Sequence, residues 1–176
     1  EESAPPFVGC QAFADGQHPF SLENLRAVRA LADRKGMRLV LDLSRVIENA
    51  WYIQRHEPGQ ADRTIAELVK LIAKSAHIVL MDGAQDPRSN TGGFLATDNP
   101  ADHEHFVNDV VVFEGLHTYG GMAGRTMEVL ARGLSEMCDE AGVQWVMHQT
   151  ERFAGRLRAA GVPLERGCDG AYVRAD

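Results

Sequence analysis

The sequence predicts an α/β domain with a mostly parallel sheet and helices on both faces. Three observations carry that expectation. Short apolar runs alternate along the chain with amphipathic segments of helical period. Each apolar run is continuous rather than alternating, the pattern of a strand covered on both sides. Two of the runs end in an acidic residue, Asp42 and Asp82, at the strand ends where open α/β sheets gather ligand-binding groups.

Phe7 to Phe13 reads as the first strand, and the turn-forming DGQHP follows it. Ser21 then caps a helix in which Leu22, Leu25, Val28, Leu31 and Ala32 recur at helical spacing, with Gly36 as its stop. Met37 to Leu43 is the second strand. A short helix over Arg45 to Arg55 ends before Pro58-Gly59, and Asp62 is expected to cap a helix carrying Ile65, Leu68, Val69, Leu71 and Ile72. Strands over 77–82 and 91–97 flank a polar loop, DGAQDPRSN, that runs into Gly92-Gly93. Beyond Asp98-Asn99-Pro100 the spacing predicts a helix over 101–114, the glycine-rich HTYGGMAG, and a helix from Arg125 to Ala160 broken near Gly142. Val162 to Leu164 and Ala171 to Arg174 read as the first strands of a terminal subdomain.

The 176-residue chain suits one domain with a real core. A net charge of -7 and the lack of any basic run argue against nucleic acid and anionic membranes as partners. Three widely spaced cysteines, Cys10, Cys138 and Cys168, form neither a disulfide framework nor a zinc pattern, so the expected setting is the reducing cytoplasm. No apolar run approaches the roughly 20 residues that cross a bilayer, and no signal-peptide pattern precedes the first strand.

Three blocks carry a resemblance: LDLSRVIENAWYI from Leu41, NTGGFLAT from Asn90 and FEGLHTYGGMAGRTME from Phe113. In order and spacing they resemble the β-eliminating lyases tryptophanase and tyrosine phenol-lyase. The resemblance implies a partial fold-type I pyridoxal-phosphate-transferase-like large domain over 1–125, then an interdomain helix and the start of a small C-terminal subdomain over 126–176. It covers only the middle portion of those longer proteins. Because the chain starts at Glu1 almost inside a strand, it is expected to be a fragment, an excised domain or a split subunit. In the family a lysine pair followed by Asp lies in the central loop, and the second lysine forms the Schiff base with pyridoxal phosphate. Here those positions read Ala84-Gln85 before Asp86.

Asp42 with Arg45 is the principal candidate pair. A strand-end carboxylate can meet a protonated ring nitrogen while the guanidinium reaches an oxyanion, and the resemblance gives them those roles toward the cofactor. Spacing alone leaves an alternative open, an Asp capping the next helix beside a surface Arg. Asp82 ends the next strand on the same side. Asn90 matches an Asn that lies near a monovalent cation in the family, although one side-chain oxygen falls short of the about six such ions take, and a plain turn is the competing reading. Phe13 aligns with the family's cofactor-touching Asn, and His18 with its glutamine in GGQP. His117 and Tyr119 are candidates for the cleft. His103 and His105 are two apart on a helix and so point to opposite sides, which argues against a shared metal.

β-Elimination needs an amine to hold the cofactor and shuttle the Cα proton, and Gln85 carries an amide. Lys35, Lys70 and Lys74 are expected on helices away from the ligand end. The expected function is therefore a tryptophanase-like protein without the Schiff-base lysine, with no covalent pyridoxal phosphate and a cleft that takes another small molecule. The alternatives are a working aromatic amino acid lyase and a non-catalytic subunit. An unpaired sheet edge implies a partner, either another chain or the rest of this one, and an oligomer.

Overall fold

The computed structural model describes residues 6–12, 18–115 and 122–164. Strands β1 (Phe7–Gln11), β2 (Arg38–Asp42) and β3 (Ile78–Asp82) run parallel, and β4 (Gly93–Thr97) lies antiparallel to β3, in the order β1-β2-β3-β4. The mixed edge has a connective cause. Parallel neighbours are joined by α1 (Leu22–Arg34) or by α2 (Val46–His56) with α3 (Ile65–Lys74), whereas β3 reaches β4 through the loop 83–92 without a crossover helix.

Leu39 and Leu41 project from one face of β2 and are fully buried. They share a core with Leu22 and Leu25 of α1, Ala50, Trp51 and Ile53 of α2, Leu68 and Ile72 of α3, and Met81 of β3. Arg38 alternates to the opposite face. There it pairs at 3.2 Å with Asp102 of α4 (Pro100–Glu114), which brings a helix to that side as well.

Side chains close the helix starts. Ser21 Oγ accepts from Asn24 N at 3.0 Å, as expected. Glu57, just past α2, accepts from Leu22 N and Glu23 N and holds α1 against α2. The α3 cap is Thr64 and not Asp62, because Glu67 three residues on completes a capping box with Thr64. Glu140 adds a third acceptor there, taking Ile65 N at 2.6 Å.

The expected long C-terminal helix is two, α5 (Gly124–Glu136) and α6 (Glu140–Ala159), and the break precedes Gly142. Asp139 sets it: its carboxylate accepts from Gly142 N at 2.7 Å, so Gly142 lies inside the first turn of α6. No strand forms among the described residues after α6, where Leu164 is a single bridge residue. Phe13 and the expected strand over Ala171–Arg174 lie outside the described residues. Among the described residues no helix is long and apolar enough to cross a membrane.

Candidate functional site

Asp42 and Asp82 end adjacent parallel strands, so both stand at one end of the sheet, with Asp82 two residues beyond the register partner of Asp42. Asp42 does not cap α2. Its Oδ1 accepts from Ser44 N at 2.8 Å and Ser44 Oγ at 2.5 Å, and Oδ2 takes no hydrogen bond among the described residues. A carboxylate with one oxygen pinned and the other open suits a cationic partner. Arg45 occupies the N-cap position of α2 without a side-chain cap, and its guanidinium pairs with Glu48 one turn on.

The cap of α2 comes from the β3–β4 loop, where Asp86 Oδ2 accepts from Ile47 N at 2.8 Å. The loop is closed on itself by Gly83 N to Gly92 O and Ser89 N to Gly83 O, at 2.8 and 2.9 Å. Gln85 is exposed at its outer turn, where Gln85 N donates to Asp82 O at 3.3 Å and Gln85 O accepts from Arg88 N at 2.9 Å. Asp82 is exposed and its Oδ1 takes Ala84 N at 2.9 Å.

The glycine pair answers to the protein's own atoms. A Cβ on Gly92, whose φ is 98°, would lie 2.4 Å from Met122 Sδ, and one on Gly93 would lie 2.4 Å from Met81 O.

Asp86 is the electrostatic outlier of the loop. Burial pushes its carboxyl up to about 7, with Glu48 adding to the rise and the Ile47 N–H, Arg45 and Arg88 opposing it. It faces a cavity of about 930 Å³ between the start of α2 and the α5–α6 corner, where Arg88, Glu48 and Cys138 meet apolar Val143 and Met147. Burial, Asp86 and Glu140 all push the Cys138 thiol up.

Asp42 and Asp82 meet at Ser44, Arg45 follows it in the chain, and Gln85 lies on the loop that leaves Asp82. His18 is exposed and precedes the buried anchor formed by Asn49 and Phe20, and Asn90 is exposed on the loop beside Gly92. Phe13, His117 and Tyr119 lie outside the described residues. His103 and His105 are both exposed on α4, and among the described residues no cluster of three or more His, Cys, Asp or Glu could hold a metal ion. The lysines stand away from the site: Lys35 caps the C-terminus of α1, and Lys70 and Lys74 lie on α3.

Two site residues escaped the sequence reading. Gln11 ends β1 as the register partner of Asp42, which places an exposed side-chain amide beside the carboxylate. Ser44 is buried beneath both aspartates. A Ser two residues after a strand-end Asp was the available signal for it, since that spacing favours a local side-chain turn.

A family model described as "Beta-eliminating lyase" matches residues 11–174. The tyrosine phenol-lyase of Intrasporangium calvum is 40% identical over 92% of this chain and 34% of its own. The tryptophanase of Rhodobacter capsulatus is 39% identical over 93% of this chain and 36% of its own. The chain thus spans about a third of the length of these curated relatives. Among solved structures, Leishmania major threonine aldolase superposes with a TM-score of 0.59 at 15% identity, covering 94% of this chain and 44% of that one. Sphingomonas wittichii serine palmitoyltransferase does so with 0.58 at 13% identity, covering 96% and 38%. At such identities these two likenesses show the fold alone.

Proposed function

The chain belongs to the β-eliminating lyase family and has the fold-type I α/β architecture, and from that membership we propose that it is a tryptophanase-like protein whose cleft binds a small molecule without covalent capture. One observation carries the reading. Residue 85, which the resemblance aligns with the family's Schiff-base lysine, is a glutamine exposed on the loop beside the Asp42 strand end. An amide can donate and accept hydrogen bonds but is neither nucleophilic nor basic.

The residues present fit part of a pyridoxal phosphate site. Asp42, with Oδ1 held by Ser44, would take a protonated ring nitrogen, and Arg45 an oxyanion of the ring. Gln11 and Gln85 would offer amides to neutral oxygens. Pyridoxal phosphate, when bound, supplies an electron sink for carbanions formed on an amino acid. Holding the ligand by charge and hydrogen bonds is what Asp42, Arg45 and Gln85 offer; none of them is an amine to move the Cα proton as the family's lysine does. The division into a large-domain portion up to 125 and an interdomain helix with a small subdomain beyond it is part of the same proposal. So are a cytoplasmic setting and a partner, another chain or the remainder of this one, along the edge of β1, where Phe7 is 70% exposed.

The test adds pyridoxal phosphate to the chain, follows absorption, then treats with borohydride and maps adducts by mass. The expected result is the spectrum of the free aldehyde and no adduct. Gln85→Lys should then gain a yellow band and a reducible adduct at position 85. An adduct on a lysine of the unmodified chain, with pyruvate released from an aromatic amino acid, would establish the working-lyase alternative instead.

A further inference from the structure

Ser44 is 5% exposed, and it touches all three aspartates of the site. Its N–H and its hydroxyl both donate to Asp42 Oδ1, at 2.8 and 2.5 Å. The same hydroxyl accepts from Asp82 N at 3.0 Å, and Ser44 O accepts from Asp86 N at 3.3 Å. Asp42 lies on one side of this hub. On the other lies the loop that runs from Asp82 through Gln85 to Asp86.

A hydroxyl donates one hydrogen bond and accepts others, so Ser44 Oγ can serve Asp42 and Asp82 at once, and no aliphatic side chain could do either. The Ser44 N–H alone would leave the Asp42 carboxylate free to turn about its side-chain bonds. Asp82 N would then face a buried hydroxyl's vacated place. The frame is closed a second time by Asp86, whose carboxylate caps α2 just after Arg45.

Resting on the cofactor-type reading of the cleft, we propose that Ser44 is its positioning residue, fixing the Asp42 carboxylate for a cationic ring nitrogen and tying it to the loop that carries residue 85. Ser44 touches no ligand in this scheme. It acts by keeping Asp42 and position 85 in one rigid frame, which is what directional recognition of a ring nitrogen requires.

The experiment uses two probes without an aldehyde, pyridoxine 5′-phosphate and the same molecule with its ring nitrogen replaced by C–H, and measures both dissociation constants by calorimetry. The unmodified chain is expected to bind the nitrogen-bearing probe ~10-fold more tightly, the size of one charge-assisted hydrogen bond. Ser44→Thr should keep that ratio. Ser44→Val, which has the shape of threonine without the hydroxyl, should bring it to about twofold or less, with circular dichroism confirming the fold. If Ser44→Val does not fold, Ser44→Ala removes the hydroxyl without added bulk and is read the same way. A folded hydroxyl-free variant that keeps the full ratio overturns the role of Ser44 and leaves the cofactor-type reading intact. An unmodified chain that does not distinguish the probes overturns that reading, and the role of Ser44 with it.

Discussion

Asn49 and Phe20 are joined in both directions: Asn49 Oδ1 accepts from Phe20 N at 2.9 Å, and Asn49 Nδ2 donates to Phe20 O at 3.2 Å. The amide sits on α2 with no exposed surface, so these two bonds satisfy its own polar atoms where water cannot reach them. Asn49→Ala would leave both Phe20 groups unpaired, and the expected loss is about 1 to 3 kcal/mol in a denaturant titration. Asn49→Asp should lose a comparable amount, because it keeps the acceptor but replaces the donor with a charge. An Ala variant as stable as the parent would mean that the 18–20 segment is not held by this contact.

Asp86 makes stability pH-dependent in a direction opposite to an ordinary ion-paired carboxylate. Its carboxyl is raised from 3.8 to about 7 in the folded chain. Its contribution is therefore fully present below about 3.8, declines as the pH climbs toward 7, and is gone above that. Asp86→Asn keeps an oxygen for Ile47 N and removes the charge. At pH 8 the variant should be more stable than the parent by roughly 1 to 3 kcal/mol, and at pH 4 the two should melt together. Equal stabilities at both values would show that the carboxylate is well solvated.

The parallel strands and most helices were legible because burial writes itself as periodicity. Leu39 and Leu41 face the core from β2, and the apolar residues of α1 and α3 repeat at helical spacing. What escaped is of two kinds, local contests between side chains and contacts between residues far apart in sequence. The antiparallel β4 follows from the absence of a crossover, which an apolar run does not encode. Thr64 won the α3 cap from Asp62 because Glu67 completes a reciprocal box. Within the site, Asp42 and Asp82 were readable as strand-end acids, but Asp86 capping α2 across 39 positions was not. Ser44 was passed over because a buried serine looks in sequence like any turn former.

Gly133 on α5 lies against the site loop so closely that a Cβ there would stand 2.1 Å from Pro87 O. Backbone cannot yield as a flexible side chain can. Gly133→Ala should therefore separate α5 from the loop and cost about 1 to 3 kcal/mol, despite the helix preference that alanine brings. The measurement is a thermal melt together with amide exchange at Arg88 and Ser89. A stabilised variant with unchanged exchange would contradict this packing.

His77 completes the sheet with its side chain. Its N–H donates to Leu39 O at 2.9 Å, and its ring Nδ1 accepts from Leu39 N at 2.9 Å. That second bond fixes the tautomer: Nδ1 must be bare, so the neutral ring carries its proton on Nε2, which stands 3.0 Å from Asp33 Oδ1. The ring thus spans from the start of β3 to the end of α1 and replaces a backbone carbonyl that the parallel ladder would otherwise supply to Leu39. Since Leu39 is fully buried, its N–H has no recourse to water. His77→Phe preserves the ring's bulk and removes the acceptor, and the expected loss is about 1 to 3 kcal/mol. Amide exchange at Leu39 should accelerate selectively, while Val40 and Leu41, held by ladder partners, change only with global stability. Nitrogen chemical shifts of the ring provide an independent reading, with Nδ1 as the acceptor nitrogen. A protonated Nδ1, or a phenylalanine variant with Leu39 protection intact, would show that the ladder closes without the imidazole.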